Sequence, residues 1–96
     1  MRKLGNIRRL AYFVSVVEAG SFTAAAERLG ITKAVVSHQV ARLEEELNTT
    51  LLIRTTRTIR LTDAGKVFYE HCASILRETE EAFAELDALV LSPLAH

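Results

Sequence analysis

The sequence has one cysteine, one proline, four glycines and no tryptophan. A single cysteine cannot form a disulfide within the chain, which suits a reducing cytoplasm. The low proline and glycine content and the lack of low-complexity tracts argue against a disordered segment. No apolar run approaches the roughly 18 residues that a membrane-spanning helix needs, and the first ten residues do not resemble a secretion signal. We therefore expect a cytoplasmic protein with no membrane partner.

The motifs of enzymes are also missing. The sequence has no glycine-rich phosphate loop and no nucleophile with an evident base and third partner. Cys72 directly follows His71, but adjacent helical positions point about 100° apart and no second pair of this kind exists. We expect no enzyme activity, no metal and no cofactor in this chain.

The charge of the chain is zero overall but divided along its length. The 96 residues, of which 49% are hydrophobic, fit one small domain with a modest core. Residues 1–61 contain ten Lys or Arg and five Asp or Glu, a net charge of +5, whereas residues 62–96 contain two and seven, a net charge of −5. This division favours a polyanionic partner for the first part, although charge alone is equally compatible with an ordinary charged surface.

Three helices are predicted in the first half. A helically spaced apolar stripe predicts the first, over residues 7–19 and ending at Gly20: Ile7, Leu10, Ala11, Val14 and Val17. Ser21 or Thr23 is expected to cap a short second helix over residues 24–29, which ends at Gly30. Thr32 is expected to cap a third helix over residues 33–47, whose buried face is Val36, Val40, Leu43 and Leu47.

The opposite face of the third helix changes character along its length. Its N-terminal part is small and polar, with Ala34, Ser37 and His38, whereas Glu44, Glu45 and Glu46 make its C-terminal part acidic. Such an acidic run is incompatible with phosphate contacts along the whole helix. It is compatible with a helix that inserts only its first two turns.

A hairpin and a long helix are predicted for the rest of the chain. Residues 51–53 and 58–61 are rich in Leu and β-branched residues and predict two short strands. Arg54 and Arg57 then lie at the tip and Arg60 on the returning strand, an arrangement suited to phosphate or a narrow minor groove. Thr62 is expected to cap a helix that runs to about residue 91, a rod of about 45 Å.

The last helix carries a heptad repeat. Its positions alternate spacings of four and three residues: Phe68, Cys72, Ile75, Thr79, Ala82, Leu86 and Leu89. One small domain cannot cover so much apolar surface. A partner helix is therefore expected along this seam.

Three segments in fixed order resemble the LysR-type transcriptional regulators. The first covers the glycine turn into the second helix, and the others cover the third helix and the hairpin. The second and third helices, joined by a tight turn at Gly30, have the pattern of a helix-turn-helix. They read VEAGSFTAAA at residues 17–26, VSHQVARLEEEL at 36–47 and LLIRTTRTIRLTDAG at 51–65. The resemblance covers residues 7 to about 91.

The resemblance implies a mostly α fold: a winged helix-turn-helix of three helices plus a two-stranded β-hairpin wing, followed by a long dimerisation helix. It implies a DNA-binding domain over residues 1–61 and a linker helix over 62–91. Residues 92–96 would form a tail that leads to an effector-binding domain absent from this sequence. A small-molecule effector would bind that absent domain.

The resemblance also implies roles for individual residues. The third helix would enter the major groove of double-stranded DNA and present four residues to base edges: Lys33, Ala34, Ser37 and His38. Six others would contact the DNA backbone or the minor groove: Ser21, Thr23, Gln39, Arg42, Arg54 and Arg57. Many members of the family have Gln or Ser in place of Lys33, and Arg in place of His38, so the preferred DNA site of a relative does not transfer. For Arg54, an ion pair with a glutamate is the alternative.

The expected partners are a partly palindromic DNA operator and a second copy of the chain, packed through antiparallel linker helices. A tetramer is possible in the full-length protein. A pure dimerisation or protein-interaction module is the rival from another class, and it would explain the heptads but not the arginines of the hairpin. Another winged-helix family, similar to the MarR regulators, is the rival within the class.

Overall fold

The computed structural model describes residues 7–55 and 58–91. Three helices come first: α1 (Ile7–Ala19), α2 (Phe22–Leu29) and α3 (Lys33–Leu47). Two short strands follow, β1 (Leu52–Arg54) and β2 (Ile59–Leu61), and then the long helix α4 (Asp63–Leu91). This order confirms the predicted fold class, which is mostly α with a two-stranded hairpin and a long last helix.

Side-chain caps set the starts of the two helices that form the helix-turn-helix. Ser21, and not Thr23, caps α2, because its Oγ accepts a hydrogen bond from the backbone N–H of Ala24 at 3.0 Å. Gly30 ends α2 in the left-handed region with φ 68°. Thr32 caps α3 as predicted, accepting at 3.2 Å from the backbone N–H three residues on.

The core lies where α1, α2 and α3 meet. The predicted buried face of α3 is confirmed, with Val36 and Val40 fully buried and Leu43 nearly so. The predicted stripe on α1 is wrong in part, because Phe13 and Val16 are fully buried whereas Ile7 is 51% exposed. Helix α1 contacts α2, α3 and α4, so its buried face is wider than a single stripe and is turned away from residue 7.

The two strands pair antiparallel to form the hairpin. Leu52 lies opposite Leu61, and Arg54 lies opposite Ile59. Beyond Arg54, the backbone N–H of Thr55 donates to the carbonyl oxygen of Thr58 at 2.9 Å and closes the ladder. Residues 56 and 57 lie outside the described residues, so the role predicted for Arg57 is not described by the structure.

Helix α4 begins on the hairpin. The backbone N–H of Thr62 donates to the carbonyl oxygen of Leu51 at 3.0 Å, and its Oγ1 accepts from the N–H of Gly65 at 2.9 Å, as predicted for a cap. Gly65 lies so close to the hairpin that a Cβ added there would be 2.2 Å from the Leu51 carbonyl oxygen. A residue without a side chain is therefore required at this position.

The first half of α4 belongs to the core of the same chain. The rings of Phe68 and Phe13 lie 5.8 Å apart, and the Tyr69 hydroxyl donates to Glu18 of α1 at 3.0 Å. Leu76 also packs against the core. From residue 77 to residue 91, by contrast, every residue of α4 is exposed.

This packing corrects the predicted dimer seam at its N-terminal end. Cys72 is 1% exposed and is covered by its own chain, so it was wrongly assigned to an intermolecular seam. Phe68, half-buried, also faces the core. The heptad spacing is the same whether the covering helix comes from the same chain or from a partner, which is why the sequence pattern misassigned Cys72. Its burial also raises the pKa of the thiol to about 11.

We expect Gly65→Ala to destabilise the protein. At an exposed helix position this change stabilises by about 0.5–1 kcal/mol, but here the methyl group would meet the Leu51 carbonyl and should lower the free energy of unfolding by about 1–3 kcal/mol. Urea unfolding followed by circular dichroism measures the difference. The control Ala64→Ser, at the exposed neighbouring position, should change stability by less than about 0.5 kcal/mol. An unfolding free energy equal to or above that of the wild type would contradict the close approach.

Candidate nucleic-acid interface

The first two turns of α3 present a face that is accessible to solvent. Lys33, Ala34 and His38 are exposed, and Ser37 is partly exposed. All four residues predicted to face base edges thus lie at least partly on the surface: Ala34, Ser37 and His38 on the side of α3 away from its buried face, and Lys33 at the first position of the helix. Lys33 contributes a positive charge, and no acidic residue occurs in the first turn of the helix.

The N-terminus of α2 presents backbone donors. The first N–H groups of a helix have no intrahelical partner and attract anions. The hydroxyl of Ser21 is partly buried and caps Ala24, whereas Thr23, in the first turn, is exposed. Any contribution of Ser21 to an anion site is therefore through the helix end that it caps, while the hydroxyl of Thr23 faces solvent.

The hairpin lies directly beside α3, and Arg54 makes the contact. Its Nη1 donates to Ser37 Oγ at 3.1 Å, and its guanidinium carbon lies 4.3 Å from the centre of the Phe22 ring. Its Nη2 lies 3.7 Å from Glu44 Oε1, which is the ion pair considered as the alternative for this arginine. The guanidinium therefore links the hairpin to both helices of the helix-turn-helix.

Glu44 holds the first strand against α3. Its Oε2 accepts hydrogen bonds from the backbone N–H groups of Leu51 at 2.7 Å and Leu52 at 3.1 Å. Glu46, two residues on, pairs with Arg9 of α1. The acidic end of α3 thus has an internal role in packing, a role that our sequence analysis missed. One signal was available in the sequence. Glu44 lies seven and eight residues before Leu51 and Leu52, whose backbone N–H groups need acceptors at the start of the hairpin.

The two remaining residues predicted for backbone contact differ in their surroundings. Gln39 is partly buried, and its Oε1 accepts from Arg9 Nε at 2.8 Å, so its side chain is held toward α1. Its amide NH₂ group can still donate. Arg42, one turn after His38 on α3, is exposed. On the hairpin, Arg60 is also exposed and lies opposite Ile53.

The far half of α4 carries an apolar stripe that its own chain leaves uncovered. Leu86 is 55% exposed and Leu89 is 48% exposed, and both belong to the predicted seam. Ile75, Phe83 and Val90 are further exposed apolar residues of α4. The part of the predicted seam from Ile75 to Leu89 therefore remains available to a partner.

The described residues contain neither a membrane-spanning helix nor a cluster of metal ligands. None of the helices in residues 7–55 and 58–91 combines the length and the apolar character of a membrane-spanning segment. In the same ranges, no group of three or more His, Cys, Asp or Glu is placed to hold a metal ion.

The chain is similar in sequence to known regulatory proteins and in structure to known DNA-binding domains. The nitrogen assimilation regulatory protein nac of Escherichia coli (strain K12) is 56% identical over 77 residues, which are 80% of this chain and 25% of that protein. A crystal structure of the BenM DNA-binding domain with catB site 1 DNA superposes with a TM-score of 0.82 at 36% identity, covering 90% of this chain and 96% of that chain. Full-length CbnR complexed with its target DNA has a TM-score of 0.75 at 38% identity, covering 85% of this chain and 28% of that chain.

The chain spans about a quarter of the length of the curated relatives it matches. A family model described as bacterial regulatory helix-turn-helix protein, lysR family, matches residues 7–66, which is more than half of the chain. The matched range contains every residue of the three segments that resemble the LysR-type regulators. The chain therefore belongs to the LysR family of bacterial regulatory helix-turn-helix proteins.

Proposed function

We propose that this chain is the DNA-reading part of a LysR-type transcriptional regulator and that it binds double-stranded DNA in a sequence-specific manner. One observation carries the proposal: the exposed first two turns of α3 lie directly beside the hairpin, with Arg54 Nη1 3.1 Å from Ser37 Oγ. A helix and an adjacent ribbon can then enter the major groove and the neighbouring minor groove or backbone. The structures of related domains with DNA, named above for BenM and CbnR, support this function.

The proposed contacts follow from position and chemistry. Lys33, Ala34, Ser37 and His38 face base edges in the major groove. Thr23, the N-terminus of α2 capped by Ser21, and Arg42 contact phosphates, with Gln39 contributing its amide donors. Arg57, which the sequence predicts at the tip of the hairpin, reaches the minor groove or the backbone, where a guanidinium is favoured. None of these contacts requires a catalytic step or a cofactor, and we place the protein in the cytoplasm with its DNA.

We also propose a homodimer formed through antiparallel α4 helices. The exposed stripe from Ile75 to Leu89 is long enough for a second copy of the same helix, and the acidic charge of residues 62–96 keeps this rod away from DNA. A dimer of this kind separates two reading heads and matches a partly palindromic operator. Tetramer formation, and the binding of a small-molecule effector by a further domain, are proposed for the full-length protein only.

A module for dimerisation alone is the weaker alternative. It would account for the apolar stripe of α4, but it requires no exposed cation at the start of α3 and no helix-turn-helix. Selection of bound duplexes from a random pool separates the two functions. A recovered motif with two related half-sites supports DNA reading, whereas recovery of unrelated sequences contradicts it.

We expect Arg57→Ala to weaken binding about equally on all duplexes. The loss of one cation that neutralises a phosphate should lower the slope of log affinity against log salt by about one. Fluorescence anisotropy at several salt concentrations measures this slope. Arg77→Ala, which removes the same charge from the exposed half of α4, is the control and should leave the slope unchanged. An unchanged slope for Arg57→Ala would remove this residue from the interface.

We expect Lys33→Ala and His38→Ala to alter sequence preference instead. Each residue should discriminate at particular base pairs by about 1–3 kcal/mol where its contact is good. Repeating the selection with each variant identifies those positions as columns that lose information. If both variants recover the wild-type motif, neither residue reads bases.

We expect Leu86→Glu to produce monomers, because a charge buried in an apolar seam has no partner there. Sedimentation velocity distinguishes monomer from dimer. Ala84→Glu introduces the same charge two residues earlier, on the opposite face of α4, and should leave the dimer intact. A stable Leu86→Glu dimer would be inconsistent with the proposed seam.

A further inference from the structure

We infer that Arg54 is a positioning residue for DNA readout, which fixes the hydroxyl group of Ser37 as a hydrogen-bond donor toward a base edge. The inference rests on the proposed function and deepens it. It gives Arg54 a role different from that of the other arginines of the hairpin, which are proposed or suited to contact DNA directly.

The guanidinium of Arg54 is held from three sides. It lies over the Phe22 ring, with 4.3 Å between its Cζ and the ring centre, and it donates to Ser37 Oγ at 3.1 Å. Its Nη2 faces Glu44 Oε1 at 3.7 Å. A planar guanidinium with one face on a ring and two nitrogens beside fixed oxygens has few alternative orientations.

The oxygens of Glu44 are themselves fixed by the backbone. Its other carboxylate oxygen, Oε2, accepts from the N–H groups of Leu51 and Leu52, at 2.7 and 3.1 Å. The carboxylate therefore cannot rotate without breaking two hydrogen bonds to the start of the hairpin. The Glu44 carboxylate that faces Arg54 is thus hydrogen-bonded to the start of β1, the strand on which Arg54 itself lies.

The contact restricts the direction of the Ser37 hydroxyl proton. A guanidinium only donates, whereas a hydroxyl has one proton and two lone pairs. The bond from Arg54 occupies one lone pair of Ser37 Oγ and leaves the O–H pointing away from the arginine. Within the described residues Ser37 Oγ has no other hydrogen-bond partner, unlike Thr79 of α4, whose hydroxyl donates to the carbonyl oxygen of Ile75 at 2.8 Å. The proton of Ser37 is thus available to an acceptor outside the chain.

The position of Ser37 makes a base edge the matching acceptor. It lies on α3 one turn after Lys33 and next to His38, on the partly exposed face that the proposed function puts in the major groove. Major-groove edges present N7 and O6 of guanine, N7 of adenine and O4 of thymine as acceptors. A hydroxyl whose oxygen is held and whose proton is kept away from Arg54 selects among these atoms by position, whereas a freely rotating hydroxyl could accept or donate at several positions.

Arg60 offers a matched comparison on the same hairpin. It is exposed on β2 and, within the described part of the chain, makes no hydrogen bond or ion pair with α3. Arg60→Met and Arg54→Met remove the same charge and leave a side chain of similar length. A difference between them in sequence discrimination therefore reports the contact with Ser37, and not the loss of a cation near DNA.

The test first locates the base pair that Ser37 reads. Duplexes are selected from a random pool with the wild-type chain and with Ser37→Ala, and the position that loses preference is identified. Affinities are then measured for the selected duplex and for one with that pair exchanged. We expect a ratio of about tenfold for the wild type, which falls to about one in Ser37→Ala.

The two arginine variants then distinguish positioning from charge. Arg54→Met should lower the ratio to within about threefold of one, and adding Ser37→Ala to it should lower the ratio no further, because both changes remove one coupled element. Arg60→Met should retain the tenfold ratio. If Arg54→Met binds every duplex more weakly but keeps the ratio, Arg54 is a charge or a structural element and the inference is overturned.

Other outcomes separate this inference from the proposed function. If the wild type selects no motif, both are overturned. If it selects a motif that Ser37→Ala recovers unchanged, DNA reading stands and the role of Ser37 and Arg54 does not. Should Arg54→Met fail to fold, Glu44→Gln replaces it: this variant keeps an acceptor for Leu51 and Leu52 but removes the charge that anchors Arg54. It should reduce the ratio at the same base pair, and a fully retained ratio would contradict the inference.

Discussion

The bond between the Glu44 carboxylate and the backbone N–H groups of Leu51 and Leu52 is the interaction on which the interface depends. It ties the start of the hairpin to the middle of α3, at 2.7 and 3.1 Å. Without an acceptor there, two partly buried donors would lack partners, which is costly. The same carboxylate anchors Arg54, so one acidic side chain sets both the place of the hairpin and the side of α3 that it flanks. A residue whose charge opposes DNA binding is thus needed to build the surface proposed to bind DNA.

Much of the fold followed from short-range rules. Glycine stops, hydroxyl caps and the period of apolar residues were sufficient for the bounds of α1, α3 and α4, because each depends on residues within one or two turns. The start of α2 was predicted two residues late, because Ser21 and Thr23 could each cap it and the cap is Ser21. Thr32 and Thr62 behave as the local pattern predicts. The buried face of α1 did not follow, because Phe13 packs against Phe68 of α4. The position of α4 depends on contacts between residues far apart in the sequence, among them those of Thr62 and Gly65 with Leu51.

The candidate site was predictable in its outward residues and not in its internal ones. His38 is exposed because it lies opposite a regular buried stripe on α3, which the sequence displays directly. Lys33 is exposed because it is the first residue of that helix. The link from Arg54 to Ser37 and Glu44 joins residues up to 17 positions apart, and no periodicity encodes such a contact. Likewise, a heptad pattern contains no information on whether the covering surface comes from the same chain. Cys72 is an example, since residues of its own chain cover it.

The first half of helix α4 belongs to the core, and its second half projects from it. No glycine or proline interrupts the helix from residue 66 to residue 91. A break at the junction would have allowed the body to swing independently. An unbroken helix instead transmits displacement: a rotation or shift imposed on its far end must turn the whole body with it, since Cys72 and Phe68 are locked into the packing. The orientation of the helix-turn-helix and that of the far end of α4 are therefore coupled through one continuous helix of 29 residues, about 43 Å long at 1.5 Å per residue.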